Sequence, residues 1–162
     1  MEMPILKPVP IKTRNHPLAV RIWRWITCVR KWEVAGDWTH TIPDGTTIVI
    51  HSGFTFDGAS IPKPLWALLS PTGLLLIPGL IHDYAYRYDY LIGRDAHGME
   101  YKYKQKAGRK HWDRLFREVG LKVNGLTLID TLAWAMLYLF GGLAWNANRK
   151  RAAAGLRHRF SG

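Results

Sequence analysis

Residues 77–90 read Ile-Pro-Gly-Leu-Ile-His-Asp-Tyr-Ala-Tyr-Arg-Tyr-Asp-Tyr, so that His82 precedes Asp83 and Tyr86 follows four residues after the His. The Pro-Gly pair near the start of this segment suits the first turn of a helix, where the missing N–H of proline costs nothing. We therefore predict a helix over 79–91. On it, His82 and Tyr86 share a face, because positions i and i+4 stack.

The His-Asp pair has two interpretations. A His beside a carboxylate on a rigid helix can act as a general base or hold a metal ion. Alternatively, Asp83 pairs with Arg87 at i+4, and His82 is a hydrogen-bonded residue of the core. Short motifs of this kind arise often by chance, so this segment alone leaves both interpretations open.

The composition indicates one folded domain. A chain of 162 residues has the size of a single domain and can bury a core. The 48% hydrophobic fraction and eight Trp exclude a disordered chain. The single cysteine, Cys28, excludes a disulfide scaffold and favours a reducing compartment.

The charge balance favours anionic partners. Lys and Arg outnumber Asp and Glu by 23 to 12, which gives a net charge of +11. Nucleic acid, phospholipid headgroups and an acidic neighbouring subunit all suit such a chain. The sequence has no zinc-finger spacing, RNP box or Walker loop, so no nucleic-acid module is recognised.

Both ends of the chain differ from its middle. Residues 1–17 contain four prolines and no continuous apolar run, so we expect no signal peptide but an extended arm, mobile or laid along a partner in an oligomeric assembly. We predict a single domain over 18–145. The tail, 146–162, has no acidic residue and suits phosphates, lipid or an acidic partner; its basic residues are Arg149, Lys150, Arg151, Arg157 and Arg159.

The first half of the domain predicts short strands. Residues 18–35 alternate Val, Ile and Trp with Arg and Lys, and 46–50 are β-branched throughout. We expect 54–56 to extend the second of these strands. The small residues Asp-Gly-Ala-Ser at 57–60 predict a tight turn, and the prolines that follow predict a short helix over 62–70.

The second half predicts helices. Residues 92–106 are polar and basic and are expected to form an exposed loop. Residues 107–119 carry apolar side chains at helical spacing, with Asp113 beside that stripe. The apolar run 126–145 is long enough to span a bilayer, but Asp130 near its start and a Gly-Gly pair near its end favour a buried core helix.

These elements predict an α+β fold, in which short N-terminal β-strands pack on three or four helices. An antiparallel helix pair, near 79–91 and 107–119, would carry a His-Asp site.

The order of four motifs resembles a small phage-associated family of unknown function. These motifs are Gly-Phe-x-x-Asp-Gly-Ala-Ser-Ile-Pro at 53–62, His82-Asp83, Asp-Arg-Leu-Phe at 113–116, and Phe140-Gly141 in a helix rich in Trp and Tyr. The resemblance covers about residues 46–145. It implies a phage or prophage gene and a location in the virion or the host cytoplasm.

A second resemblance concerns chemistry. His-Asp-x-x-Tyr-Arg on one helix, followed by an Asp on a later helix, is similar to prokaryotic phospholipases of the A-two type. The resemblance implies that His82 is the general base, Asp83 a calcium ligand, Tyr86 a support and Asp113 the carboxylate that orients the His. Calcium would polarise the ester carbonyl.

The chain departs from that second family in two respects. It lacks the Gly-rich, Cys-bearing calcium loop and the helix-linking disulfides. Asp57 as a further metal ligand, Ser60 and backbone carbonyls at 57–60 or 71–73 are the candidates to complete the site. A metal-dependent phosphohydrolase of the HD type needs another upstream His, and His16, His40 and His51 lack a fitting context.

Two functions follow as hypotheses. The first is a metal-assisted hydrolase acting on a lipid or cell-envelope ester, with association at a membrane surface. The second is a non-catalytic virion or tail component, docked to phage proteins or the host envelope through its basic arm and tail. The hydrolase needs His82 exposed in a cleft, whereas the docking protein would bury His82 with both ring nitrogens hydrogen-bonded.

Overall fold

The structure is a computed structural model that describes residues 2–10, 17–18, 31–56 and 73–160, with side chains as far as Ala153. Several predictions lie outside the described residues: the turn at 57–60 with Asp57 and Ser60, the helix at 62–70, and most of the strand at 18–35.

The described residues form seven short strands and three helices. In chain order these are β1 (Leu6–Pro8), β2 (Trp32–Val34), β3 (Trp38–Thr41), β4 (Thr47–Ile50), β5 (Thr55–Phe56), α1 (Leu76–Tyr88), β6 (Leu91–Arg94), β7 (Glu100–Tyr103), α2 (Arg109–Asn124) and α3 (Thr127–Phe160).

The strands form two antiparallel sheets, one with the order β1-β2-β5 and one with the order β3-β4-β6-β7. The predicted α+β class is therefore confirmed, and the β-branched strand at 46–50 is β4. The prediction that 54–56 extends this strand is wrong. Gly53, with φ +85°, turns the chain, and β5 then pairs with β2 in the other sheet.

The predicted exposed loop at 92–106 is instead the hairpin of β6 and β7, in which Gly93 pairs with Tyr101. Asp95 shapes the turn, because its side chain accepts hydrogen bonds from the backbone N–H groups of His97 and Met99. The prediction failed because β7 is an exposed edge strand, whose polar residues show no apolar alternation.

Helices α1 and α2 pack antiparallel, as predicted. Asp89, which ends α1 in the left-handed conformation, accepts hydrogen bonds from the Gly108 N–H at 3.1 Å and the Trp112 indole at 2.8 Å. At the opposite end, Leu75 packs in one buried cluster with Phe116. The end of α1 thus lies against the start of α2.

Helix α3 is longer than the predicted segment 126–145 and continues to Phe160. The residues beyond Trp145 are mostly Ala, Arg, Asn and Lys without proline, and most of these continue a helix readily. The basic tail therefore belongs to this helix as far as Phe160.

The prediction that 126–145 is a buried core helix is wrong. Asp130, Ala133 and Leu137 are buried against the domain. However, only 22% of an apolar 18-residue stretch within Thr127–Ala153 is buried. Within Thr127–Ala153, α3 is long and apolar enough to cross a membrane by length and composition, with a mean hydropathy of 1.4. An apolar run indicates a helix, but it does not determine what covers that helix.

One pH-dependent contact joins the strands. The two ring nitrogens of His51 lie 3.1 Å from Asp37 and 3.0 Å from Glu100, and these hydrogen bonds raise the pKa of His51. Because carboxylates only accept, both bonds form fully when the ring is protonated. This stabilisation is complete below the ordinary His value of 6.5 and is lost as the pH rises through the raised pKa.

At pH values well below 6.5, we therefore expect His51→Gln to lower the midpoint temperature of thermal unfolding. At pH values well above the raised pKa of His51, we expect this temperature to be nearly unchanged. Melting curves of both proteins across this range measure the difference. The effect is expected to be small because the groups are exposed. An equal shift at all pH values would contradict the titration of His51.

Candidate functional site

The candidate site lies between α1 and α2 and begins with a His-carboxylate contact. Nε2 of His82 lies 3.1 Å from Oδ1 of Asp113, and the two residues are only 2% and 1% exposed. The predicted hydrogen-bond contact between these two helices is therefore confirmed. Each residue lies on the inner face of its helix. The Asp113 carboxylate is therefore in the core, where a charged group must be paired.

Tyr86 supports the same carboxylate. Its hydroxyl donates a hydrogen bond to Oδ1 of Asp113, and its ring centroid lies 3.9 Å from that of His82. Burial raises the pKa of Tyr86, and the neighbouring Asp113 raises it further, so this hydroxyl stays protonated and remains a donor. The predicted i and i+4 relation thus brings both side chains to one carboxylate.

The Asp113 contact determines the tautomer of neutral His82. An ionised carboxylate only accepts hydrogen bonds, so Nε2 carries the proton and Nδ1 carries a lone pair. Nδ1 is buried and has no hydrogen-bond partner within the part of the chain that the structure describes. An oxygen of Asp83 lies 4.0 Å from it. A nitrogen in this state can accept a proton.

The electrostatic surroundings favour the protonated ring. Burial lowers the pKa of His82, but the hydrogen bond to Asp113 and the neighbouring Asp83 outweigh it, so the pKa is raised above its ordinary value. His82 is therefore a stronger base than a free imidazole.

Two arginines that the sequence interpretation missed hold this site. Arg109 lies 3.5 Å from Oδ2 of Asp113 and donates to the Tyr138 carbonyl at 2.9 Å, so it joins α2 to α3. Arg149 donates to the carbonyls of Tyr86 and Arg87 at 2.8 and 2.7 Å, where α1 leaves its last carbonyls unpaired. The i and i+4 spacing of Arg109 and Asp113 was a sequence signal for the first contact.

Glycine 141 brings α3 against the site. A Cβ built at Gly141 would lie 2.7 Å from the hydroxyl oxygen of Tyr86, whereas a Cβ at Gly142 would meet nothing within 4 Å. The two adjacent glycines thus differ in what a methyl group would contact.

We expect Gly141→Ala to displace Tyr86 and to lower the free energy of unfolding by about 1–3 kcal/mol, the usual cost of overpacking. The matched control is Gly142→Ala, which is expected to stabilise by about 0.5–1 kcal/mol because Ala favours a helix. Denaturant unfolding measures both variants. Equal effects of the two changes would show that α3 does not press on Tyr86.

The remaining predicted residues are only partly placed. Asp83 is half-buried beside His82, and Asp57 and Ser60 lie outside the described residues. Arg87, the alternative partner of Asp83, donates to the Thr55 carbonyl at 2.6 Å and lies over the Phe54 ring.

The described residues do not by themselves form a metal site. Among them, no group of three or more His, Cys, Asp or Glu side chains could hold a metal ion. Calcium takes about 6–8 oxygen ligands, and Asp83 supplies one carboxylate beside His82. For the HD-type alternative, His40 stacks on Trp38 and His51 is held by two carboxylates; His16 lies outside the described residues.

Comparison with curated proteins and with solved structures gave no match. A family model described as "Protein of unknown function (DUF1353)" matches residues 32–136, which include β2 to β7, α1, α2 and the first turns of α3. That span contains His82, Asp83, Tyr86 and Asp113 and is more than half of the chain. The chain therefore belongs to the DUF1353 family of proteins of unknown function.

Proposed function

We propose that the protein is a phage-encoded hydrolase of lipid or cell-envelope esters, in which His82 is the general base. The observation that carries the proposal is the state of the His82 ring. Nε2 is held by Asp113 at 3.1 Å, while Nδ1 is buried, makes no hydrogen bond to a described residue and lies 4.0 Å from an oxygen of Asp83. Nε2 of His40 and Nε2 of His111 are also buried without a described partner, and what distinguishes His82 is the carboxylate that holds its other ring nitrogen.

The reaction uses the ring as a proton carrier. Nδ1 of His82 takes a proton from a water molecule, and the water oxygen forms a bond to the ester carbonyl carbon while the carbonyl π electrons move to the carbonyl oxygen. Asp113 stabilises the imidazolium that results. The carbonyl double bond then re-forms, the bond to the leaving alcohol oxygen breaks, and that oxygen takes the proton from Nδ1. The products are an acid and an alcohol, and His82 returns to its starting state.

The burial of His82 sets a condition on this reaction. Because the ring is 2% exposed, water and ester reach Nδ1 only after the protein opens beside it. Asp113 holds the opposite edge of the ring at Nε2, and the Tyr86 ring packs against the imidazole, so the ring stays oriented while this happens. The proposal therefore includes a conformational change on substrate binding.

Calcium remains a prediction of the phospholipase resemblance, and the proton transfers of His82 do not depend on it. A calcium titration followed by thermal melting checks it, because a bound ion raises the midpoint. We expect a rise in the wild type that Asp83→Asn removes. A rise that persists in Asp83→Asn would place any calcium elsewhere.

The pH dependence of ester hydrolysis provides the direct test of the base. Since the pKa of His82 is raised, the rate is expected to increase with pH through a limb that lies above 6.5, as the ring loses its proton. Asp113→Asn removes the carboxylate charge and is expected to move this limb to lower pH and to reduce the maximal rate. A limb that does not move in Asp113→Asn would exclude His82 as the group that titrates.

The burial of His82 favours a second candidate, a non-catalytic virion or tail component docked to partner subunits or the host envelope. In that protein, the His82, Tyr86 and Asp113 cluster serves only stability. Phospholipid turnover by the purified wild type separates the two, because the docking protein shows none under any condition.

A further inference from the structure

The outward face of α3 carries a row of exposed leucines. Leu128, Leu132, Leu139 and Leu143 are 83%, 44%, 69% and 80% exposed. At about 100° per residue they fall within roughly 60° of one another around the helix axis. We call these four residues the leucine stripe. Large contiguous apolar patches on a protein surface mark contact sites for proteins or membranes.

The opposite face of α3 is attached to the domain at several points. Arg109 binds the Tyr138 carbonyl, Gly141 lies against Tyr86, and Arg149 binds carbonyls at the end of α1. Asp130, near the helix start, is buried and accepts a hydrogen bond from Asn124 at 3.0 Å. To cross a bilayer, α3 would have to break these contacts, so the attached helix presents the leucine stripe along its length instead.

Positive charge accompanies the stripe. The chain contains no acidic residue after Asp130. Lys150 is exposed and lies about 20° from Leu143 around the axis, so the stripe ends in a cation.

A groove of about 290 Å³ lies between α2 and α3. Its walls include Lys110, Arg114 and Arg117 together with Trp134 and Tyr138. The Arg117 guanidinium lies 5.5 Å from the centroid of the Trp134 ring. In the described part of the chain, Lys110, Arg114 and Arg117 form no ion pair, although Glu118 also lines the groove.

We propose that this face binds the surface of an anionic phospholipid bilayer. The leucine stripe enters the interfacial region with α3 parallel to the membrane, as amphipathic surface helices do. By the same count Tyr138 lies about 110° and Trp134 about 150° around α3 from the middle of the stripe. The groove cations therefore lie further from the bilayer than the leucines and are attracted to its anionic surface over a longer distance. The net charge of +11 selects a bilayer over an uncharged apolar partner. This proposal rests on α3 and not on ester hydrolysis.

Vesicle flotation with the full-length protein tests the proposal. The two probes are vesicles of phosphatidylcholine alone and vesicles in which part of it is replaced by phosphatidylglycerol. We expect the protein to bind the anionic vesicles more strongly. High salt is expected to release only part of the bound protein, because the leucines contribute to binding independently of charge. Equal binding to both vesicle types, or none to either, would overturn the proposal.

Variants test the leucine stripe and the groove cations separately. The double change Leu139→Ser with Leu143→Ser is expected to weaken partitioning about tenfold or more, since each side chain loses its apolar contact with lipid. Lys110→Gln and Arg114→Gln are each expected to weaken it about fivefold, and on anionic vesicles only. Met99→Ser with Tyr101→Ser removes exposed apolar groups from the β6–β7 hairpin and is the matched control; unchanged binding is expected.

Three further results would contradict a bilayer surface. If the leucine double variant binds like the wild type, α3 is not the contact. If membrane-bound protein resists extraction by alkaline carbonate, α3 spans the bilayer. If the protein is a dimer that only the leucine changes dissociate, and it does not bind vesicles, a second copy covers the stripe. Because vesicle flotation measures binding and not ester hydrolysis, a negative result would not decide the role of His82. The pH dependence of hydrolysis tests that role separately.

Discussion

Asp113→Ala is expected to destabilise the protein by about 3–5 kcal/mol, because removing one partner of a buried charged pair leaves the others uncompensated. Asp113 accepts hydrogen bonds from His82 and Tyr86 and lies 3.5 Å from Arg109. His82 and Tyr86 would lose their acceptor in the interior, and Arg109 would lose its ion-pair partner. Urea unfolding, with the slope compared between variants, measures the loss.

Asp113→Asn is the matched control for this change. Its amide oxygen still accepts from Tyr86 and His82, and only the charge is removed. We expect it to cost clearly less than Asp113→Ala. If both variants retain wild-type stability, the buried contact between α1 and α2 does not hold the fold, and the described geometry of the site is contradicted.

His82→Gln is expected to reduce ester hydrolysis by about 10²–10⁴-fold, the usual contribution of a general base. The Gln amide can still donate to Asp113, but it has no titratable nitrogen. The fold should therefore survive while turnover is lost. Fatty-acid release from phospholipid vesicles measures the rate, and circular dichroism confirms the fold.

His82→Ala separates structure from chemistry further. It leaves Asp113 and Tyr86 without a neighbour and should lower stability by about 1–3 kcal/mol. If His82→Gln and His82→Ala lose stability equally while the wild type shows no turnover, the cluster is structural. That result favours the docking protein.

The site was partly predictable because its signals are local. Helical spacing places Tyr86 on the face of His82, and the apolar stripe of α2 places Asp113 beside the helix interface. The i and i+4 pair of Arg109 and Asp113 was present in the sequence and was overlooked. Arg149 could not be found in this way, because its contact with α1 depends on the path of a helix more than sixty residues later.

The fold was predicted less completely where exposure is set by distant parts of the chain. The hairpin of β6 and β7 has a polar edge strand, which resembles a loop in sequence. The apolar residues of α3 predicted a helix, but the same residues suit a buried helix, a membrane span and a surface-binding face. Only the packing of α3 on α1 and α2 shows which side remains exposed.

Fatty-acid release from anionic phospholipid vesicles, by the wild type beside His82→Gln, tests the central claim most directly. The claim is that Nδ1 of His82 accepts the proton of the attacking water. We expect release by the wild type that increases with pH above 6.5 and is lost in His82→Gln with the fold intact. Folded, vesicle-bound wild type that releases no fatty acid at any pH, with calcium or with chelator, would contradict the claim.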